Sequence, residues 1–369
     1  MMRNTVESGT NAMLKAIMKK RKNRGKMLAA AMAAALVLSQ GALTEASDFI
    51  ETESVTEASM GRGAEMAAHG MNGGGRDHGG MNGGGMGGGT ENDPEIQAIL
   101  DETSSAFHVF CYEDPDGGSL EYSLYIPEDY SEERSWPLIM FIPDATGADK
   151  SASELVEQYY GAGIWASEEE QEKHPSFVFV PTFSGTLVDD NWNVSDQVGM
   201  IVKALDAVLG QYSIDLNRVY TTGQSAGCMT SLYLNSQYPD LFAASLFVSG
   251  QWDVSVLDCL SDESFFYITA GGDEKASGGQ DELMAMLDEA GVSYSFGSWD
   301  AQEDADSQNA SVRELIAEGN RANFIRFETG TVLNGSGGME HMASFNYGYD
   351  MEEVRDWLFA QRKGDGEDS

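Results

Sequence analysis

Cysteine is scarce in this chain, with three residues among 369: Cys111, Cys228 and Cys259. That is too few for the disulfide scaffold on which small secreted domains rely. Cys228 lies in a helical stretch and reads as a small packing residue. Cys111 and Cys259 could pair, although nothing in the sequence requires it. Cationic residues are also few: 22 Lys and Arg stand against 60 Asp and Glu, for a formal charge of −38. So acidic a surface repels nucleic acid and anionic membranes, which argues against both as partners, and it keeps a chain soluble. Long apolar runs are missing too. The run Met27–Leu38 has twelve residues, short of the roughly 20 that a membrane-spanning helix needs. Histidine is rarest after cysteine, with five residues, and that scarcity narrows the choice of a general base.

What the chain does have begins with a basic cluster, Lys19-Lys20-Arg21-Lys22 with Arg24 and Lys26, followed by the apolar run and then small and polar residues to Ala46. This is the layout of a secretory signal peptide over residues 1–46, with cleavage expected near Ala42 or Ala46. Translation from Met18 would give a more ordinary signal length. No cysteine ends the apolar run, which argues against a lipid anchor. Losing 1–46 removes eight cationic and two anionic residues, so the formal charge moves by six, from −38 to −44. Residues 47–93 read as a linker, acidic at first and glycine-rich from Gly61 to Thr90. Such a stretch cannot bury enough apolar surface to offset its backbone entropy, so it reads as a flexible tether rather than a weak metal site at His69 and His78.

Residues 94–362 read as one globular domain, and 363–369 as a disordered tail. Pro137–Ile142 and Phe177–Val180 are continuous apolar runs, as expected of strands covered on both faces of a parallel sheet. Ala106–Tyr112, Leu120–Ile126, Ala243–Val248, Phe265–Thr269 and Asn323–Phe327 read as further strands, and Ser293–Trp299 as a possible one. Gln197–Tyr212, Glu282–Ala290 and Met351–Gln361 have helical spacing. The alternation predicts a doubly wound, mostly parallel α/β sheet with helices on both faces.

Within that pattern Gly223-Gln224-Ser225-Ala226-Gly227 stands between a strand, Ile214–Thr222, and a helical stretch from Cys228 to Leu234. The bare G-x-S-x-G pattern is weak in a chain with 42 glycines. Its strand–turn–helix setting is what makes it a nucleophile elbow, which exposes a serine hydroxyl above a sheet. A serine needs a base, and in elbow hydrolases the partners follow in the order Ser, acid, His. His341 is the one histidine after Ser225, and it falls in an expected loop before the last helix. Asp273 is the best-placed acid, beyond the strand Phe265–Thr269, with Glu274 and Asp300 as alternatives. The amide of Ala226 and one from Pro143–Gly147, at Ala145 or Thr146, would form the oxyanion hole. Asp144 must then point away, for instance by capping the next turn. Gln224 and Trp192 are the candidate substrate contacts, although Trp192 could equally be a packing residue.

The run Ile214–Tyr220, the elbow, and Tyr238-Pro239-Asp240-Leu241-Phe242-Ala243-Ala244 resemble the polyhydroxybutyrate depolymerase and feruloyl esterase group of α/β hydrolases, relatives of the prolyl oligopeptidase-like enzymes. The tail from His341 to Asn346, with Tyr349 and Val354–Gln361, resembles the end of the same esterases. The resemblance implies a secreted serine esterase acting on acyl or aryl esters, often on plant polysaccharides, with Ser225, Asp273 and His341 as its triad and no metal or other cofactor. Pro143-Asp144 departs from the His-Gly usual in the group, and Cys228 stands where a second glycine is frequent. The alternatives are a serine peptidase with the same triad and an inactive hydrolase-fold binding module.

Overall fold

The computed structural model describes residues 93–364; the expected signal segment and linker, up to residue 92, lie outside them. Nine strands among the described residues form one sheet, in the order β1-β2-β4-β3-β5-β6-β7-β9-β8. They are β1 (Phe107–Glu113), β2 (Ser119–Tyr125), β3 (Trp136–Ile142), β4 (Phe177–Pro181), β5 (Ile214–Gln224), β6 (Ala244–Val248), β7 (Phe265–Ala270), β8 (Tyr294–Trp299) and β9 (Ala322–Phe327). β2 runs antiparallel to both β1 and β4, and the other neighbours are parallel. The helices are α1 (Pro94–Thr103), α2 (Ala152–Gln158), α3 (Tyr160–Gly163), α4 (Glu168–Lys173), α5 (Asp196–Gln211), α6 (Ala226–Gln237), α7 (Glu274–Ala290), α8 (Ala305–Ala317), α9 (Glu340–Asp350) and α10 (Glu352–Ala360). The doubly wound, mostly parallel sheet expected from the sequence is borne out.

The sheet holds because its central strands are apolar on both faces. β3 is buried at every position, and its side chains alternate between two cores. Leu138, Met140 and Ile142 share a cluster with Val198, Ile201, Leu205 and Val208 of α5. Ile139 and Phe141 join Phe345 and Tyr349 of α9 and Leu358 of α10 on the opposite side. A third cluster sets Met229 and Leu232 of α6 and Leu283 and Leu287 of α7 against Phe247, Phe265 and Tyr267. Burying each such side chain contributes about 1.5–3 kcal/mol, far more than helix propensity, so packing decides which weakly patterned segments become helices. α6 is the extreme case. Its Thr230, Ser231 and Asn235 are all buried, and they bond to the Ala226 carbonyl, the Thr221 hydroxyl and the Ser231 carbonyl.

Several boundaries differ from expectation. α7 starts at Glu274 rather than Glu282, because Asp273 caps it. Of the Gly278-Gly279 pair in its first turns, Gly279 is required by packing, since a Cβ there would lie 2.4 Å from Gln251 Cβ, whereas a Cβ on Gly278 would meet nothing within 4 Å. α8 was not legible, because Val312 and Leu315 are the only buried residues of its thirteen. At the ends, Asp93 belongs to the fold as the N-cap of α1, and so does Lys363. The Lys363 amide donates to Asn217 O and its ammonium to the Asp240 and Leu241 carbonyls. Cys111 and Cys259 do not pair; all three thiols are free, and Cys228 is buried as expected.

Candidate active site

The C-terminal ends of β5 and β7 and the start of α9 bring three side chains together. β5 runs into Ser225, which has φ 50° and ψ −119°, a conformation that a residue with a side chain adopts only under constraint. The constraint is visible on both sides. A Cβ on Gly227 would lie 1.9 Å from Ile142 O, and one on Gly223 would lie 2.5 Å from the Gly227 carbonyl carbon. Both glycines are therefore required by backbone approaching backbone. The Ser225 amide donates to Val248 O at 3.0 Å, which pins the turn to the end of β6.

His341 Nε2 lies 2.8 Å from Ser225 Oγ, and His341 Nδ1 lies 2.6 Å from Asp273 Oδ2. The geometry fits a neutral imidazole that donates from Nδ1 to the carboxylate and accepts the serine proton at Nε2. The Asp273 side chain is 6% exposed and that of His341 33% exposed, so the carboxylate is sheltered while the imidazole is partly open to solvent. Asp273 divides its two oxygens: Oδ1 accepts from Ala276 N as the cap of α7, leaving Oδ2 for the imidazole. Of the alternative acids, Glu274 is exposed on α7, and Asp300 caps its own turn by accepting from Gln302 N.

Two features around His341 differ from the sequence reading or escaped it. His341 is not in a loop but in the first turn of α9. The helix is anchored there by Ser344, whose hydroxyl donates to His341 O and lies 2.7 Å from Ser249 Oγ beyond β6. The Phe345 ring meets the imidazole edge to face at 5.1 Å. No local pattern marks Ser249 or Ser344, which are 95 positions apart.

The loop after β3 answers the concern about Asp144. This carboxylate is 4% exposed and turns inward to cap a short 3-10 turn, Ala145–Gly147. Its Oδ1 accepts from Thr146 N at 2.7 Å and from Thr146 Oγ1 at 2.6 Å. It also accepts from the Tyr159 hydroxyl, and its Oδ2 accepts from Gln224 Nε2 at 2.8 Å. Two expectations fall as a result. The Thr146 amide is committed to Asp144 and is unsuited to an oxyanion, whereas the amide of Ala145, an exposed residue, has no acceptor among the described residues. Gln224 is buried, with its amide fixed on Asp144, which argues against the substrate contact expected of it. The Ala226 amide, at the first position of α6, has no intrahelical acceptor.

Trp192 is 40% exposed, with φ 63°, and its ring packs edge to face on buried Trp252 at 5.2 Å. It rides on a turn organised by Asp189, which accepts from the Asn191 and Asn193 amides. The neighbouring Asp190 reaches Lys275 at 2.6 Å and Gln251 at 3.0 Å, tying this turn to the start of α7, two residues from Asp273. Among the described residues no cluster of three or more His, Cys, Asp or Glu is disposed to hold a metal. No described helix is long and apolar enough to cross a membrane.

This architecture has solved counterparts. A thermostable esterase superposes with a TM-score of 0.59 at 24% identity, covering 71% of this chain and 64% of its own. The chain has the α/β-hydrolase fold. A feruloyl esterase module from Clostridium thermocellum, solved with sinapinate, superposes with a TM-score of 0.50 at 13% identity, over 74% of this chain and 95% of that module. Residues 189–286 match the prolyl oligopeptidase family, a stretch that holds Ser225 and Asp273 but not His341. In sequence the chain is similar to acetylxylan esterase A of Emericella nidulans, 28% identical over 141 residues, which cover 35% of this chain and 41% of that protein. It is also 28% identical over 145 residues to a probable acetylxylan esterase A of Aspergillus fumigatus, covering 36% of this chain and 35% of that one. The match thus spans less than half the length of these curated relatives.

Proposed function

We propose that this chain is a secreted serine carboxylic-ester hydrolase that acts through an acyl-enzyme on acyl or aryl esters carried by a polysaccharide or polyester. The observation that carries the reading is the unbroken hydrogen-bonded series from Ser225 Oγ to His341 to Asp273, at 2.8 and 2.6 Å, on a strained elbow. The likeness to acetylxylan esterases supports an ester on a sugar polymer, and the signal-like segment 1–46 supports export.

In this reading Ser225 Oγ attacks the ester carbonyl while His341 Nε2 takes the hydroxyl proton. The carbonyl oxygen becomes an anion held by the Ala226 and Ala145 amides, a contribution worth about 10²–10³ in rate per donor in other serine hydrolases. Asp273 holds the imidazole in the tautomer that accepts at Nε2 and stabilises the imidazolium that forms. The imidazolium then gives its proton to the leaving alkoxide, releasing the alcohol and leaving the acyl group on Ser225. Water, deprotonated by His341, attacks the acyl-enzyme and regenerates the serine. Trp192 would stack on a sugar or aryl group bordering the site, because an exposed indole on a rigid turn offers a flat apolar face with little ordering cost.

The match of residues 189–286 to the prolyl oligopeptidase family keeps amide hydrolysis as the second reading, since the same three residues cleave amides. The two separate in one assay. The exported chain, given p-nitrophenyl acetate, acetylated xylan and a p-nitroanilide, should turn over the esters and leave the anilide nearly intact. Comparable anilide turnover would favour the peptidase. No turnover of any of the three, with no reaction at Ser225 toward a fluorophosphonate, would leave a binding module.

A further inference from the structure

We infer that Glu340 is a positioning residue that locks the loop bearing Asp273 to the helix bearing His341; the inference rests on the reading of Ser225, Asp273 and His341 as a hydrolytic triad. Glu340 is the first residue of α9, directly before His341. Its Oε2 accepts from Gly272 N at 2.9 Å, and its Oε1 accepts from Gly330 N at 2.8 Å. Gly272 directly precedes Asp273, and Gly330 lies beyond the end of β9. One carboxylate thus joins three segments: the loop after β7, the turn after β9, and the start of α9.

The carboxylate lies close against the Gly272 backbone. A Cβ on Gly272 would lie 2.1 Å from Glu340 Oε1 and 2.3 Å from its Cδ, so the loop carries glycine where the carboxylate lies against its backbone. Gly271 is equally confined, with its amide on Phe327 O at 2.8 Å and a would-be Cβ 2.7 Å from Thr329 Oγ1. Asp273 and His341 are 68 positions apart, on elements that no covalent turn connects, and their separation must hold at 2.6 Å through proton transfer. A charge-assisted bond from a carboxylate to each backbone amide is about twice as strong as a neutral one. The first lands directly before Asp273 and the second on the turn after β9, while Glu340 itself stands directly before His341. Glu340 therefore acts through Asp273 and His341 rather than on the reacting atoms.

The experiment compares wild type, Glu340→Ala and Glu340→Gln in the exported chain by three readouts. The first is the rate at which a fluorophosphonate labels Ser225. There Oγ bonds to phosphorus, fluoride leaves, and the serine proton passes to His341, so the readout depends on triad geometry and not on the natural ester. The second is kcat and KM on p-nitrophenyl acetate. The third is the downfield proton signal of His341 Nδ1–H. Glu340→Ala should lower labelling and kcat by about 10- to 100-fold, the scale set by misplacing catalytic groups by about 1 Å. KM should stay within about twofold, and the Nδ1 proton should move upfield or be lost to exchange. Glu340→Gln, which keeps one accepting oxygen, should fall between and covers the case in which the alanine variant does not fold. Labelling and kcat at the wild-type level in either folded variant, or a drop in melting temperature with the Nδ1 proton unmoved, would overturn the inference while leaving the triad reading intact. A wild type that fails to label at Ser225 would overturn both.

Discussion

Asp144 shows how much one side chain can organise near a reactive centre. It is a buried carboxylate with no cation bonded to it among the described residues, and four donors surround it: the Thr146 amide and hydroxyl, the Tyr159 hydroxyl and the Gln224 amide. Burial and the nearby negative charge of Asp144 in turn push the Tyr159 hydroxyl well above its ordinary pKa, so at neutral pH it remains a donor. Asp144→Asn keeps the shape but replaces one accepting oxygen with an NH₂ that must face another donor. The expected result is a loss of about 1–3 kcal/mol of stability and a fall in kcat/KM of about tenfold or more as the Ala145 amide shifts. Denaturant melts and steady-state kinetics would check it, and unchanged kinetics would detach Asp144 from the proposed oxyanion loop. This residue also marks the limit of sequence reading. Ser225 and His341 were legible because a local motif and chain order suffice to find them. The capping role of Asp144 was legible in part, because a cap acts on the next two residues. Its bond to Gln224 spans 80 positions, and no local pattern carries that information. Hence Gln224 reads from the sequence as a substrate contact, whereas it is buried on Asp144.

At the scale of elements, the helix bearing His341 is held at both ends. Its first turn is tied down by Ser344 and Glu340, and its C-terminal end by Arg355 of α10, which donates to Tyr349 O. Arg355 also meets Glu170 of α4 at 2.7 Å, with side chains 8% and 1% exposed. Removing one member of so buried a pair leaves an uncompensated charge, at a cost of about 3–5 kcal/mol. Arg355→Ala should therefore lower stability by that amount in urea denaturation, whereas a change below about 1 kcal/mol would mean the pair is solvated. Strands such as β3 were read within a residue of their observed limits, because an unbroken apolar run has few alternative fates. Helices fared worse where tertiary contacts, not periodicity, stabilise them. The Ser277-Gly278-Gly279 stretch precedes the helix expected from Glu282 and is helical because Asp273 caps α7 and Gln251 packs against Gly279. The first turn of α9, Glu340-His341-Met342, follows a glycine-rich segment and carries no side-chain N-cap bond, so it read as loop.

For the molecule as a whole, the formal charge of −38 sets the background against which carboxylates fold. Glu263 feels it most clearly: burial first, and then the neighbouring Asp240, push its carboxyl up to about 7. A raised carboxyl favours the folded state while protonated. Its contribution is full below the unfolded value near 4.3 and is lost as pH rises through about 7. Glu263→Gln should match wild type at pH 4 and exceed it at pH 8, by on the order of 1–3 kcal/mol after allowance for partial exposure. Thermal melts across that range test it; equal gains at both pH values would assign the effect to packing. The same acidity suits a chain proposed to work outside the cell on an uncharged polymer, to which it is not electrostatically attracted. What it does there rests on Ser225, and the most direct measurement is acetate release from acetylated xylan by wild type and by Ser225→Ala. Release by the wild type that drops by roughly 10³-fold or more in the variant is the predicted result. Release that persists in Ser225→Ala, or a folded wild type that releases no acetate and hydrolyses no p-nitrophenyl ester, would contradict the account.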